Sequence, residues 1–215
     1  MTSRPRRNRV TPTGEIVAIP AKGRMMGNRG SLIDERGNIV REYGHKRWIC
    51  CTLEEVNGRK VRFDDPDGYT PLFFTDEAVA FAAGFRPCGS CRPDDYYRFL
   101  AIWKRVAGVS RFERVFAYRM DQDLHQRRLQ GGLFSKPVTL GDLPQGCFAI
   151  VPSLSSYPAL LWGGLLWPWE EGGYGAPIDA GEALRGAQAV PMHGVEFLKA
   201  GFRFAPEYWP QVPVP

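Results

Sequence analysis

The sequence predicts an α+β fold: an N-terminal module with a sheet and two helices, packed on a small, mostly β C-terminal module. Three observations carry this. Short apolar and alternating runs, separated by Gly and Asn turns, fill residues 16–74. Two segments with helical spacing and capping signals follow, near residues 75–84 and 93–105. From residue 137 to 177 the content of Trp, Gly and Pro rises around a Gly-Gly turn. A chain of 215 residues that is 44% hydrophobic can fill one large core or two small ones. The expected boundaries are a disordered basic tail at 1–13, a sheet-and-helix module at 14–129 and a small β-rich, barrel-like module at 130–215.

In the first module, Ile16-Val17-Ala18-Ile19, Ile39-Val40 and Trp48 to Leu53 read as strands. Asn57-Gly58 is a turn leading into an alternating strand through Phe63, and Asp64-Asp65-Pro66-Asp67-Gly68 is a second turn. Thr75 is suited to cap a helix that carries Asp76 and Glu77 in its first turn and stops at Gly84. Pro93 opens a second helix, whose Tyr96, Phe99, Leu100 and Trp103 fall on one face as core. Val115-Phe116-Ala117-Tyr118 and then a polar stretch around Asp121 to Arg128 precede the second module.

That module offers a strand at Cys147 to Val151 and a hairpin from Ala159 to Trp167 turning on Gly163-Gly164. Ala187 to Val190 is a further strand, and Val195 to Ala200 a short helix. Phe81 to Pro87 and Phe197 to Phe204 echo one another, a similarity ascribed to shared chemistry: a helix stopped by Gly, then an apolar anchor.

Cys88-Gly89-Ser90-Cys91 is the strongest chemical signal, because two thiolates separated by two residues grip one metal ion from a single turn. The motif follows a helix, whereas a thioredoxin-like redox pair follows a strand. Upstream, Cys50 and Cys51 are adjacent, and neighbours on a strand point to opposite faces, so one of them reaches the metal. Cys51 is favoured, since Cys50 shares the parity of Trp48 and belongs with the packed face. For a fourth ligand the chain has His45, His125 and His193. His45 lies six residues before Cys51 on one extended run, about 20 Å away if straight. His193 falls in the second module. His125 is preferred, completing a Zn2+ set of Cys51, Cys88, Cys91 and His125; Cys147 reads as a buried core thiol.

The string from Phe73 to Asp94, an AAGFRPCxxCxPD pattern, resembles the second half of the zinc-binding domain of the Ada methyl-DNA repair protein. It covers about a tenth of the chain, and a knuckle followed by a Trp- and Gly-rich β module is similar to a group of bacterial proteins carrying it. The resemblance implies a zinc ion on four thiolates, one of which accepts a methyl group from a DNA phosphotriester. A zinc-bound thiolate stays deprotonated and nucleophilic. Cys88 and Cys91 match motif cysteines. The acceptor of that family lies upstream, where this chain has no second spaced pair, so Cys51 or Cys50 as methyl acceptor is an alternative only.

Net charge is +5, from 28 basic and 23 acidic residues, which is compatible with a DNA or RNA partner. Arg4, Arg6, Arg7 and Arg9 form a phosphate-tracking arm, with Arg92 as a further contact. No apolar run is long enough to span a bilayer, and no signal-like apolar stretch follows the arginines, so a cytoplasmic protein without a membrane partner is expected. Walker, GxGxxG, HExxH and GxSxG signatures are absent. The leading expectation is a zinc-stabilised, nucleic-acid-associated protein without catalytic turnover. Another reading makes zinc a structural staple and places a small-molecule or protein site around Trp162, Trp167 and Trp169.

Overall fold

The computed structural model is a mixed α+β fold with two sheets, one of six strands and one of seven. Residues 5–56, 58, 68–131, 134–171 and 173–213 are described. The first half contributes β1 (Arg9–Val10), β2 (Ile16–Val17), β3 (Met25–Asn28), β4 (Ile49–Thr52), β5 (Leu72–Phe74) and β6 (Arg86–Pro87). They form a sheet in the order β2-β1-β5-β3-β4-β6. Helices α1 (Glu77–Ala82), α2 (Pro93–Val106) and α3 (Ala117–Gly131) accompany it. The second half supplies β7 (Val138–Thr139), β8 (Phe148–Ile150), β9 (Ala159–Trp162), β10 (Leu165–Glu170), β11 (Gly173–Tyr174), β12 (Ile178–Asp179) and β13 (Gln188–Pro191). Their order is β11-β10-β9-β8-β13-β7, with β12 also on β10. Short helices α4 (Glu182–Arg185) and α5 (Val195–Lys199) complete the set. Among the described residues nothing joins β7 to the far end, so this sheet is open where a barrel-like closure was expected.

Local chemistry explains the main elements. The turn between β9 and β10 puts Gly163 and Gly164 at φ of 63° and 79°, the positive pair a two-residue primed turn requires. Asp76, rather than Thr75, caps α1: its Oδ1 accepts from Val79 N at 3.0 Å. Its Oδ2 accepts from Tyr174 Oη at 2.8 Å and from Gln211 N at 3.0 Å, which fixes the carboxylate in a fully buried place. Burial outweighs these donors and raises its pKa. Helix α1 then closes at Gly84, where Phe85 N donates to Ala80 O and Gly84 N to Phe81 O. Helix α5 repeats this closure through Phe202 N to Phe197 O and Gly201 N to Leu198 O. The two anchors pack together, with Phe81 stacked on Phe202 at 5.1 Å.

The expected strand at Ile39-Val40 reduces to a single bridge between Ile33 and Ile39. The basic tail also differs from expectation. Arg9–Val10 pairs with both β2 and β5, since Val10 is buried and the Arg9 guanidinium lies 4.9 Å from the Phe73 ring centroid. Arg4, the alternating strand after Gly58 and the Asp64-Asp65 turn lie outside the described residues.

One continuous core links both halves, running from Met25, Leu72 and Phe74 through Phe81 and Phe99 to Phe148, Phe197 and Phe204. The first sheet gives this core only one face, that of Met25, Cys50, Leu72 and Phe74. Its other face carries a separate small cluster of Met26, Cys51 and Cys88, against which Ile49, Tyr69, Phe73 and Cys91 pack.

Candidate metal centre

Sheet register decides which of the adjacent cysteines reaches the knuckle. Cys50 is paired with Gly27 and points into the core, where its Sγ lies 3.7 Å from Met25 Sδ. Cys51 is paired with Met26 and points to the opposite face. Strands β4 and β6 run parallel, with Ile49 beside Arg86 and Cys50 beside Pro87, so one further step brings Cys88 alongside Cys51. Cys88 N donates to Cys50 O at 3.0 Å, locking that register. The chain then turns: Arg92 N reaches back to Cys88 O at 3.0 Å and Ser90 N points at Cys88 Sγ at 3.4 Å. Cys91 is thereby swung back toward Cys88.

The Sγ atoms of Cys51, Cys88 and Cys91 all lie within 4.8 Å of one another. Zn–S bonds of about 2.3 Å place tetrahedral sulfurs about 3.8 Å apart, so a small contraction seats a zinc ion. All three cysteines are free thiols. Cys51 and Cys88 are buried, and Cys91 alone reaches solvent. Hydrogen bonds from Cys51 and Cys91 hold the Cys88 thiol far below its ordinary pKa. The bond Cys51 shares with Cys88 pushes its own well up, and burial adds to this. A soft divalent cation bound by all three sulfurs would replace their S–H protons with a stronger attraction.

His125 does not join this group, which has no fourth His, Cys, Asp or Glu among the described residues. It is buried on α3, edge-on to Tyr43 at 4.7 Å. Its partner Tyr43 packs against the main core that contains Trp48, whereas Cys51 belongs to the separate small cluster. His45 Nε2 meets Asn28 Oδ1 at 3.2 Å, and His193 belongs to the α5 end near Phe197. Cys147 is a buried core thiol, pushed up to about 12 by burial.

The predicted nucleic-acid residues divide. Arg92 is buried, donating to Glu77 Oε1 and Asp95 Oδ2 at 2.7 Å while the Tyr208 ring covers it at 3.9 Å. That ion-pair network removes it from any phosphate contact and instead fixes the start of α2 beside Cys91. Arg6 and Arg7 are exposed, and Arg7 Nε donates to Ile16 O at 2.9 Å. Arg9 lies in a cross-strand row with Phe73, Met26 and Cys51, so it shares the face of the thiols. A groove of about 410 Å³ runs along this edge between Arg6, Arg9, Pro20 and Phe73.

The tryptophans do not form one pocket. Trp167 is core, Trp162 packs edge-on against Trp209, and Trp169 alone lines a cleft of about 750 Å³ rimmed by Glu15, Glu170 and Glu171. No helix among the described residues is long and apolar enough to cross a membrane. No family model, curated protein or solved structure matches the chain.

Proposed function

We propose that this is a zinc-binding protein in which Cys51, Cys88 and Cys91 hold one Zn2+ as thiolates, without catalytic turnover. The convergence of three sulfurs from a strand and a tight turn within 4.8 Å supports this reading. Three protein ligands leave a fourth tetrahedral position for water or an incoming donor on the side where Cys91 meets solvent. The zinc would tie β4 to the turn that starts α2. Cys50, sealed in the apolar core, is out of reach of an outside substrate, which argues against it as a methyl acceptor.

Metal analysis of purified variants tests the ligand set. Cys51→Ala, Cys88→Ala and Cys91→Ala should each lose one equivalent of zinc, while Cys50→Ala and His125→Ala retain it. Wild-type protein that neither contains nor takes up zinc, or loss in Cys50→Ala with retention in Cys51→Ala, refutes the assignment.

A second element of the proposal is nucleic-acid association through the same sheet face, favoured by the row that sets Arg9 beside Phe73, Met26 and Cys51 and by the exposed Arg6 and Arg7. Duplex binding should weaken steeply with salt, and each phosphate contact removed, as in Arg6→Ala, should lower the slope by about 0.9. Absence of binding at low salt removes this element and leaves the metal site standing.

A further inference from the structure

Most of the buried polar atoms without partners gather around Trp48. Eight buried side-chain nitrogen or oxygen atoms lack a hydrogen-bond partner among the described residues. Five of them are Arg29 Nε, Trp48 Nε1, Arg128 Nε, His45 Nδ1 and His125 Nδ1. These residues come from three places: the end of β3, the approach to β4, and one face of α3, where His125 and Arg128 are three apart. Trp48 holds them together. The Arg29 guanidinium carbon lies 4.7 Å from its ring centroid and that of Arg128 4.4 Å, while Tyr43 bridges Trp48 and His125.

Among the described residues neither buried arginine meets a carboxylate. Arg128 donates Nη1 to Gly84 O and Nη2 to Lys46 O, both at 2.9 Å, and Arg29 Nε has no hydrogen-bond partner among the described residues. Asp121, the acid that acts on Arg128, is already held by Arg86 through two N–H···O bonds of 2.8 Å. Glu42, which acts on Arg29 and His125, is exposed. Burial accordingly lowers Arg29 to about 10 and Arg128 to about 9. Protein interiors reject uncompensated charges, and two guanidinium groups sharing one indole also repel.

The place is rigid as well as cationic. Gly44 N and His45 N donate to Arg29 O at 2.7 and 3.3 Å, clamping two loops together. Gly30 sits at φ +99°, where an added Cβ would lie 2.6 Å from Gly44 Cα, so both positions require glycine for the crossing. Asn28 Oδ1 accepts from Gly30 N at 3.0 Å and from the His45 ring. Water would satisfy the free N–H groups but leave both charges unbalanced. An oxyanion with several acceptor oxygens does both, and guanidinium is the side chain best shaped to hold one.

We propose that Arg29 and Arg128, with Trp48 Nε1 and His125, form a binding site for a phosphate-class oxyanion, either the free ion or the terminal phosphate of a small ester. It is separate from the thiol cluster and independent of the zinc assignment.

Thermal unfolding of the full chain with inorganic phosphate, against chloride of equal ionic strength, tests it. At a hundredfold excess over the dissociation constant the midpoint should rise by about 5 to 10 °C. Arg29→Gln should be as stable as wild type or more so without phosphate, because it removes an unbalanced charge, and should gain nothing when phosphate is added. The same titration with AMP separates the sources: a larger shift than phosphate assigns an ester, an equal or smaller one the free ion. Phosphorus NMR reads the site without unfolding. The inorganic phosphate line should broaden with wild-type protein and stay sharp with Arg128→Gln. Failure of both phosphate and AMP to stabilise wild type, persistence of the shift in Arg29→Gln, or an unbroadened line with wild type overturns the proposal.

Discussion

The ion pair between Arg86 and Asp121 offers the most direct test of how the thiol cluster is held. Arg86 is the residue of β6 two positions before Cys88, and Asp121 lies on α3. Their side chains are only 4% and 7% exposed, and Nε and Nη2 of Arg86 meet the two carboxylate oxygens at 2.8 Å each. Arg86 Nη1 donates to Pro87 O at 2.8 Å, so each of its three nitrogens makes a hydrogen bond. Asp121→Asn keeps the shape and removes the charge, leaving a buried guanidinium unbalanced. Breaking such a pair costs about 3 to 5 kcal/mol. For a chain of this size that is a fall in melting temperature of roughly 6 to 20 °C. Urea unfolding followed by circular dichroism measures it. Replacing both partners, Arg86→Met with Asp121→Leu, should recover most of the loss, since an apolar pair of similar volume is neutral or better. If Asp121→Asn costs less than about 1 kcal/mol, in the range of an exposed pair, the assignment of this pair as the clamp between β6 and α3 is wrong.

Gly194 and Gly37 separate backbone conformation from packing. Both have positive φ, +90° and +80°, but a Cβ on Gly194 would lie 2.4 Å from Phe81 Cε1 while Gly37 has nothing within 4 Å. Gly37→Ala should cost about 1 to 2 kcal/mol for the left-handed backbone, and Gly194→Ala a further 1 to 3 for overpacking; equal losses in urea titrations would contradict the packing described. Acid stability follows from the histidines. Burial lowers the pKa of His45, His125 and His193, the last to about 3, each with help from neighbouring cations. The unfolded chain therefore takes up these protons first as pH falls, so stability is complete above about 6.5 and declines from there toward pH 3. His193→Gln should flatten that decline in urea midpoints measured against pH, and a slope identical to wild type would count against the burial of His193.

The knuckle, the hairpin on Gly163-Gly164 and the glycine stop of α1 were legible because each depends on chemistry within a few residues. The choice of Cys51 over Cys50 rested on strand alternation, and sheet register places the two on opposite faces. Helix α3 was missed. Its inward face carries Met120 and Leu124 but also Asp121, His125 and Arg128, all buried, so the apolar period that marks a helix was diluted by charged residues. That also misled the reading of His125 as a metal ligand: a histidine in a polar segment seemed free to fold back, whereas it is fixed beside Tyr43. The burial of Arg92 was equally invisible, because Glu77 lies fifteen residues away and Tyr208 in the second half. Thr75 and Asp76 are both competent caps, and tertiary donors at Tyr174 and Gln211 decided between them.

The Asp76 carboxylate imposes an order on how the molecule is made. Two of its donors lie 98 and 135 positions further along the chain. Until residues 174 and 211 have been synthesised and docked, a buried acid at the start of α1 lacks them, and the helix that leads into Arg86 and the knuckle cannot settle into its final packing. Docking of the second half therefore precedes the final packing of the helix that leads into the knuckle. A metal ion held by Cys51, Cys88 and Cys91 would then enter at a late step of folding instead of at its nucleus.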